Sequence, residues 1–340
     1  MVVELMPSLD AKVAALRLAG AYDERPASVE AIETHMSWVF LTPQHVYKLK
    51  KPVRADGLDF DTTERRHFYC LEELRLNRRL ARWVYLEVLP VRQAADGAIR
   101  AFGAGGIVDW LVMMRRLPSE LMLDHLLARR EAQPVHLQRV AEQLAAFYLT
   151  LPAAMHDPAV YVQRLARAID ECEARLCESE LAFDVAQVRA ACANLRSFMR
   201  RHEDVLAARV RAGRIVEGHG DLRPEHVWLG TPPAIIDCLE FSLALRTVDS
   251  ADEFGFLALE CERAGAPELG RVLLSRAAAL TGDRVPPRLV DFHQALRGCV
   301  WAGIALWHLK ESRYRGMPIW RERSSCYLEL AAAHARRCLA

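Results

Sequence analysis

Glu217-Gly218-His219-Gly220-Asp221-Leu222-Arg223-Pro224-Glu225-His226 is the stretch on which the reading of this chain turns. It packs a histidine, an aspartate and a possible metal ligand into one tight loop. Eleven residues past His226 comes a second acid, Asp237, closing the apolar run Ala234-Ile235-Ile236. That run reads as a buried hairpin strand ending in a carboxylate. Two acids so arranged, one on a rigid loop and one ending a strand, suit phosphoryl transfer. One can accept a proton from a hydroxyl while the other holds magnesium.

Outward from this stretch, the two sides of the chain differ. On the N-terminal side, residues 9–20 read as a short amphipathic helix. Trp38 to Leu41 and Val46 to Lys50 are strand-like, with Thr42-Pro43-Gln44 as the turn between them. Glu64 to Trp83 has a helical period, Tyr85 to Val91 is extended, Ala94 to Gly97 turns, and Ile107 to Met114 is an apolar strand. Gly103-Ala104-Gly105-Gly106 has the look of a phosphate cradle. No helix opens after it, however, and it lies between two strand-like runs, so a hairpin turn is the expectation. From Pro118 onward the pattern is helical, with Val135 to Leu151, Val160 to Glu178 and Phe183 to Ala212 as candidates. The strand pair at 226–230 and 234–238 interrupts it, and helices resume at Ser250.

Bulk composition narrows the classes. The 340 residues suggest two lobes or two modest domains, and 52% hydrophobic residues can bury a sizeable core. Forty-five basic and forty-four acidic residues nearly cancel, so no net field draws the chain to nucleic acid or an anionic membrane. No apolar run reaches the roughly 18 residues of a bilayer span, and Met1 to Asp10 lacks the pattern of a signal peptide. Nine scattered cysteines with no CxxC pair read as free thiols in a reducing cytoplasm, mostly filling core.

The order of elements and the motifs His219-Gly220-Asp221 and Ile235-Ile236-Asp237 resemble the aminoglycoside/choline phosphotransferase branch of the protein-kinase-like fold. The stretches Glu33 to Leu41, Tyr47 to Val53 and Ile236 to Phe241 narrow the resemblance to a bacterial subfamily of phosphotransferase-like proteins. Some of its members carry a C-terminal P-loop ATPase domain. No G-x-x-x-x-G-K-S/T occurs in this sequence, so that domain is expected to be absent, and a separate P-loop ATPase is a possible partner. The resemblance implies an α+β, two-lobed fold. A small antiparallel-sheet N-lobe with one long helix (1–116) would bind nucleotide, and a larger, mostly helical C-lobe (117–340) would carry catalysis and the acceptor.

By the same resemblance Asp221 is the base and Asp237 the magnesium ligand. His219 orients the loop, and Arg223 faces a phosphate or an acidic acceptor. The alternatives are an Asp that only caps backbone amides, an internal ion pair at Asp237 and a solvated arginine. His226 stands where the family pattern has Asn. Its imidazole suits softer ions than magnesium, so it either holds metal or only donates a hydrogen bond. Lys48 and Lys50 share one strand face. Lys48 is the favoured phosphate-binding lysine, with Val46 lining the adenine slot as in V-A-I-K, while at least one of the two would be a solvated edge lysine. Glu73, with Glu72 as the alternative, is the helix partner. Thr34 to Ser37, without a glycine-rich pattern, would cover the phosphates through Ser37 and backbone amides. Met113 to Arg116, with Met114 central, would be the hinge against the adenine edge. Asp252 would brace the catalytic loop, and the role of Glu240 is open. Trp301, Trp307, Trp320 and Tyr314 are expected mainly in core.

The resulting expectation is an ATP- and Mg²⁺-dependent cytoplasmic kinase of a small-molecule hydroxyl. The near-balanced charge argues against an aminoglycoside acceptor. Two other classes stay open: a nucleotide-binding pseudokinase or regulatory module, suggested by His226 and the cover loop, and a metal hydrolase built on His219, Asp221, His226 and Asp237.

Overall fold

A computed structural model describes residues 6–55, 58–178, 184–310 and 317–340. Phe183 and Tyr314 lie outside the described residues, as does the very start of the chain. In chain order the elements are α1 (Leu9–Leu16), β1 (Glu30–Glu33), β2 (Ser37–Leu41), β3 (His45–Lys50), β4 (Arg54–Ala55), β5 (Leu58–Asp59), α2 (Thr63–Ala81), β6 (Tyr85–Gln93), β7 (Ile99–Arg100) and β8 (Gly106–Arg115). Then come α3 (Leu123–Ala128), α4 (Pro134–Thr150), α5 (Pro158–Cys177), α6 (Val185–Arg201), α7 (Glu203–Arg211), β9 (Ile215–Glu217), β10 (Val227–Trp228) and β11 (Ala234–Ile235). The chain ends with α8 (Leu243–Arg246), β12 (Thr247–Asp249), α9 (Ser250–Arg263), α10 (Pro267–Thr281), α11 (Pro287–His308) and α12 (Pro318–Arg337). The fold is α+β, and by internal contacts it divides into two units. One is Met1–Met122 with Trp228–Ala244; the other is Leu123–Val227 with Leu245–Ala340.

The first unit is built on a six-stranded sheet of order β1-β2-β3-β8-β6-β7, antiparallel in every pair given a register. Strand alternation sorts β3 between two faces. Tyr47 and Leu49 join Val13, Leu16, Tyr22, Phe40 and Leu111 in one core. Lys48 and Lys50 are left to the face on which α2 packs. Because β3 lies between β2 and β8, neither lysine is on an edge, and Lys50 is completely buried. The expectation of a solvated edge lysine is therefore corrected. Helix α2 starts where Thr62 accepts from the Arg65 amide, with Glu64 in its first turn and Arg78 and Arg79 in its last, both favourable to the helix dipole. Its buried positions Cys70, Glu73, Leu76, Asn77 and Leu80 recur every three or four residues and form one face. Cys70, Val84, Tyr85, Val112, Trp228 and Ala234 make the second core of this unit.

The second unit is helical around a core that includes Leu165, Ile169, Leu195, Phe198, Phe292, Leu296 and Tyr327. Proline occupies the first turn of α4, α5, α10, α11 and α12, where its missing amide costs nothing. The long helix expected to end at Ala212 is two helices. His202, at φ −131° and ψ 33°, ends α6 and begins α7. A two-stranded ladder missed in the sequence pairs β9 with β12, Glu217 opposite Thr247 and Ile215 opposite Asp249. It sets the loop after β9 beside the start of α9. All nine cysteines are free and seven are buried. Trp301 packs against the helical core, whereas Trp307 is 40% exposed, contrary to its expected place. Among the described residues no helix is long and apolar enough to cross a membrane.

Candidate active site

Each unit carries a cluster of the residues singled out above. In the first unit Lys48 Nζ donates to Glu73 Oε1 at 2.9 Å and to Asp237 Oδ1 at 2.7 Å. Lys50 Nζ donates to the other oxygen of Glu73, Oε2, at 2.6 Å and also to Glu240. Glu73 is thus shared by two lysines, and Glu240 finds its place as the second anchor of Lys50. The Glu72 side chain turns instead to Arg75, 2.8 Å away. Burial opposes the charge on Lys48, Lys50 and Glu73, and their partners overcome it. Glu73 is held below the usual carboxylate range by Lys48 and Lys50, and Lys48 is held well above the usual lysine range by Asp237 and Glu73.

The two lysines differ in access. Lys50 is sealed between buried acids, whereas the Lys48 side chain is 15% exposed and the Asp237 side chain 43% exposed. Lys48 and Asp237 therefore form the open edge of the cluster. Asp237 does not end β11, which stops at Ile235. It sits two residues beyond, with φ +59° in the left-handed region. Aspartate tolerates that region better than most residues. Its amide donates to Tyr85 Oη at 3.1 Å, and the next amide, of Cys238, donates to Asn77 Oδ1 at 2.8 Å. Asn77 in turn donates to the Glu73 carbonyl at 2.9 Å. The helix face that holds Glu73 thus also pins the backbone of Asp237.

Ser37 is buried, and its amide and carbonyl are both bonded to Thr34. The turn is closed further by Lys51, which donates to the Thr34 carbonyl at 2.7 Å. Met114 lies near the end of β8 between Val46 and Tyr85. The amides of Arg115 and Arg116, just after it, are bonded to the Val84 and Gln44 carbonyls.

The second unit holds the His219–His226 loop. Asp221 is gripped by Arg223, Nε on Oδ1 at 2.9 Å and Nη2 on Oδ2 at 3.0 Å. Burial pushes the Asp221 carboxyl up; Arg223 first and then His226 more than offset it, so the carboxyl lies below the usual aspartate range. His226 Nδ1 donates to the Asp221 carbonyl at 2.8 Å, which leaves Nε2 as an acceptor 3.5 Å from Arg223 Nη2. His219 is fully buried and its Nδ1 accepts from the Asp221 amide at 3.3 Å. Arg223 also lies over the Trp301 ring, 4.3 Å from its centroid, and reaches Glu225.

The residue that holds this loop most directly is Glu253. Its carboxylate accepts the His219 amide at 2.8 Å, the Gly220 amide at 2.5 Å and the Tyr148 hydroxyl. It is fully buried, and burial raises its carboxyl above the usual range despite those donors. Gly218 leaves room for it, since a Cβ there would stand 2.3 Å from Glu253 Oε2. Asp252 acts at one remove. It binds Arg297 through both oxygens, at 2.9 and 2.7 Å, and Arg297 donates to the Gly220 carbonyl at 3.2 Å. Asp249 caps α9 and is held by Arg209. Sequence reasoning missed Glu253 and Arg297. No short-range signal separated Glu253 from Asp252, since both stand in the first turn of α9 and that helix is buried on nearly every side.

With this geometry in hand the chain can be set beside known proteins. No family model matches it. Uncharacterised proteins of Mycobacterium bovis and Mycobacterium tuberculosis are 32% identical over 294 residues, covering 84% of this chain and 57% of theirs. The match therefore spans little more than half the length of these relatives. Among solved structures, a choline/ethanolamine kinase family protein from Mesorhizobium loti aligns over 96% of this chain and 98% of its own, with a TM-score of 0.55 and 15% identity. The aminoglycoside 2'-phosphotransferase-IIIa, solved as its GDP complex, aligns over 92% and 94% with a TM-score of 0.52 and 16% identity. A choline kinase from Streptococcus pneumoniae aligns over 90% and 93% with a TM-score of 0.52 and 15% identity.

The chain has the protein-kinase-like fold. At these identities the likeness concerns architecture, and chemistry must be argued from the side chains. Within the protein-kinase-like fold the six-stranded sheet, α2 and the turn after β11 carry the Lys48–Glu73–Asp237 cluster, and the helical unit carries the Asp221 loop.

Proposed function

We propose that this chain is an ATP- and Mg²⁺-dependent phosphotransferase acting on a hydroxyl of a small molecule. The observation that carries the reading is Lys48 held at 2.9 Å from Glu73 and 2.7 Å from Asp237. A sheet lysine, a helix acid and an exposed aspartate on one cluster supply a cation for phosphates and a hard oxygen ligand for a metal. In this reading the sheet-bearing part binds nucleotide, and the helical part presents the base and the acceptor pocket.

Asp237 suits magnesium, which takes one or two protein carboxylates and completes its shell with phosphates and water. Bound there, magnesium would neutralise charge on the phosphates. Lys48 donates to phosphate oxygens, and Glu73, kept ionised by two lysines, fixes its direction. The acceptor hydroxyl gives its proton to a carboxylate oxygen of Asp221, which its low pKa keeps ionised at neutral pH. His226 is assigned to the loop rather than to metal, because Nδ1 is spent on the Asp221 carbonyl and Nε2 faces a guanidinium. The catalytic gain comes from positioning and charge, without a covalent intermediate.

A thermal-shift screen with ATP and GTP, each with and without Mg²⁺ or Mn²⁺, tests nucleotide binding, since a ligand of the native state must raise the melting point. Asp221→Asn should then cut transfer by about 10²- to 10⁴-fold and spare binding, while Asp237→Asn should remove the metal dependence of binding. No shift with any nucleotide sinks the reading.

A second reading, a nucleotide-binding pseudokinase, is favoured by one observation: Arg223 occupies both oxygens of Asp221. Nucleotide binding with no transfer to any hydroxyl compound would support it. A hydrolase built on a transition metal has less support, since such sites gather three or more side-chain ligands. Among the described residues no group of three His, Cys, Asp or Glu side chains could hold a metal ion.

A further inference from the structure

The loop Gly103-Ala104-Gly105-Gly106 takes no part in the function proposed above. It joins β7 to β8, but β6 lies between those two strands in the sheet, so the loop is a connection past β6 and not the hairpin turn expected from the sequence. Yet Gly103 and Ala104 line a cavity of about 340 Å³ together with Arg25, Arg92, Arg100 and Phe102. The three guanidinium groups come from separate segments of the sheet-bearing unit. No carboxylate lines the cavity. Asp96, an acid that faces Arg100 at 4.0 Å, is 65% exposed. Arg92 donates to the Gly105 carbonyl at 2.9 Å, which fastens the loop against the arginines. Gly105, at φ +131°, allows that closure, because a Cβ there would stand 2.2 Å from the Gln93 carbonyl oxygen.

Three like charges around one concavity repel one another, and a concave wall focuses their field. Among the described residues neither Arg25 nor Arg92 has an acidic partner, and the amides of Gly103 and Ala104 make no hydrogen bond. Arg25 is held at φ +43°, a backbone region that arginine seldom adopts. Guanidinium forks match phosphate oxygens, and free amides of a glycine-rich turn add donors to the same side. The cavity has the size of a small-ligand site, and Phe102 gives it one apolar wall.

We propose that this cavity is a second ligand site, separate from the Lys48–Asp237 cluster, and that it takes a small phosphate-bearing anion. The site stands whether or not the chain transfers phosphate.

Inorganic pyrophosphate is the probe, titrated into the full chain by calorimetry and by amide-resolved NMR. The expected result is binding that shifts the amides of Gly103, Ala104 and their neighbours. Affinity should fall at least about tenfold in Arg25→Gly and in Arg100→Gln, the loss expected when a hydrogen bond to a charged group is removed. Arg25→Gly is the decisive variant, because glycine suits φ +43° and the fold is kept while the charge is lost. Its melting temperature should be unchanged or higher. Three outcomes overturn the proposal: no binding, equal affinity in both variants, or the same shifts and affinity with sodium sulfate at matched ionic strength.

Discussion

Arg223 meets Asp221 through two hydrogen bonds, Nε to Oδ1 at 2.9 Å and Nη2 to Oδ2 at 3.0 Å, so the acid proposed as base is already paired. The pair keeps the carboxyl ionised and also lowers its appetite for a proton. Arg223→Met should therefore move the acid limb of the pH–rate profile upward, toward and beyond the ordinary aspartate value of about 3.9. Asp221→Asn should cost about 10²- to 10⁴-fold in kcat, the range for loss of a general base. An acid limb that stays in place in Arg223→Met means that the pair does not tune the base.

The two lysines of β3 should separate cleanly. Lys50→Met leaves Glu73 and Glu240 buried without their shared cation, a change of about 3–5 kcal/mol for a broken buried pair. Lys48→Met leaves Glu73 with Lys50, so its stability cost should be smaller, about 1–2 kcal/mol, while nucleotide binding is lost. Urea unfolding of both variants, with nucleotide titration of Lys48→Met, checks this. Equal stability losses would show that the accessible and the sealed lysine are not distinct in role.

What was legible in the sequence followed from short-range pattern. Strand alternation put Lys48 and Lys50 on one face, and the α2 period offered Glu73 as partner. What was not legible depended on distant or subtle contacts. The Lys50–Glu240 pair joins residues 190 positions apart. Strand β1 reads Glu-Ala-Ile-Glu, with ends too polar to announce a strand. The break at His202 interrupts a continuous helical period without glycine or proline. Asp252 and Glu253 are adjacent acids, and only the pairing of β9 with β12 decides which reaches the loop.

Gly218 should be intolerant of any side chain. A Cβ would stand 2.3 Å from Glu253 Oε2 and 2.8 Å from Val248 Cγ2, both in packed surroundings. Gly218→Ala should destabilise by about 1–3 kcal/mol through overpacking. It should also loosen the His219 and Gly220 amides, which hydrogen exchange would report as faster exchange at those two positions. Unaltered protection there would mean that Glu253 can move aside without releasing the loop.

Glu253 and Asp221 should leave opposite marks on stability against pH. Asp221 and Asp252 have folded pKa values below the unfolded one, Asp252 because Arg297 outweighs burial. Their contribution is complete above about pH 4 and is lost as pH falls through the folded values. Glu253 is raised, so the folded state holds its proton longer than the unfolded chain does. Its contribution is greatest below the unfolded value of about 4.3 and is lost as pH rises through the folded value. Glu253→Gln cannot lose that term. The melting temperature of Glu253→Gln minus that of the native chain should therefore climb as pH rises from 4 through the folded value of Glu253, whatever its offset. Calorimetry of both proteins across that range decides the matter. A flat difference would mean that the buried carboxylate is charged at no cost and that its three donors fully offset desolvation.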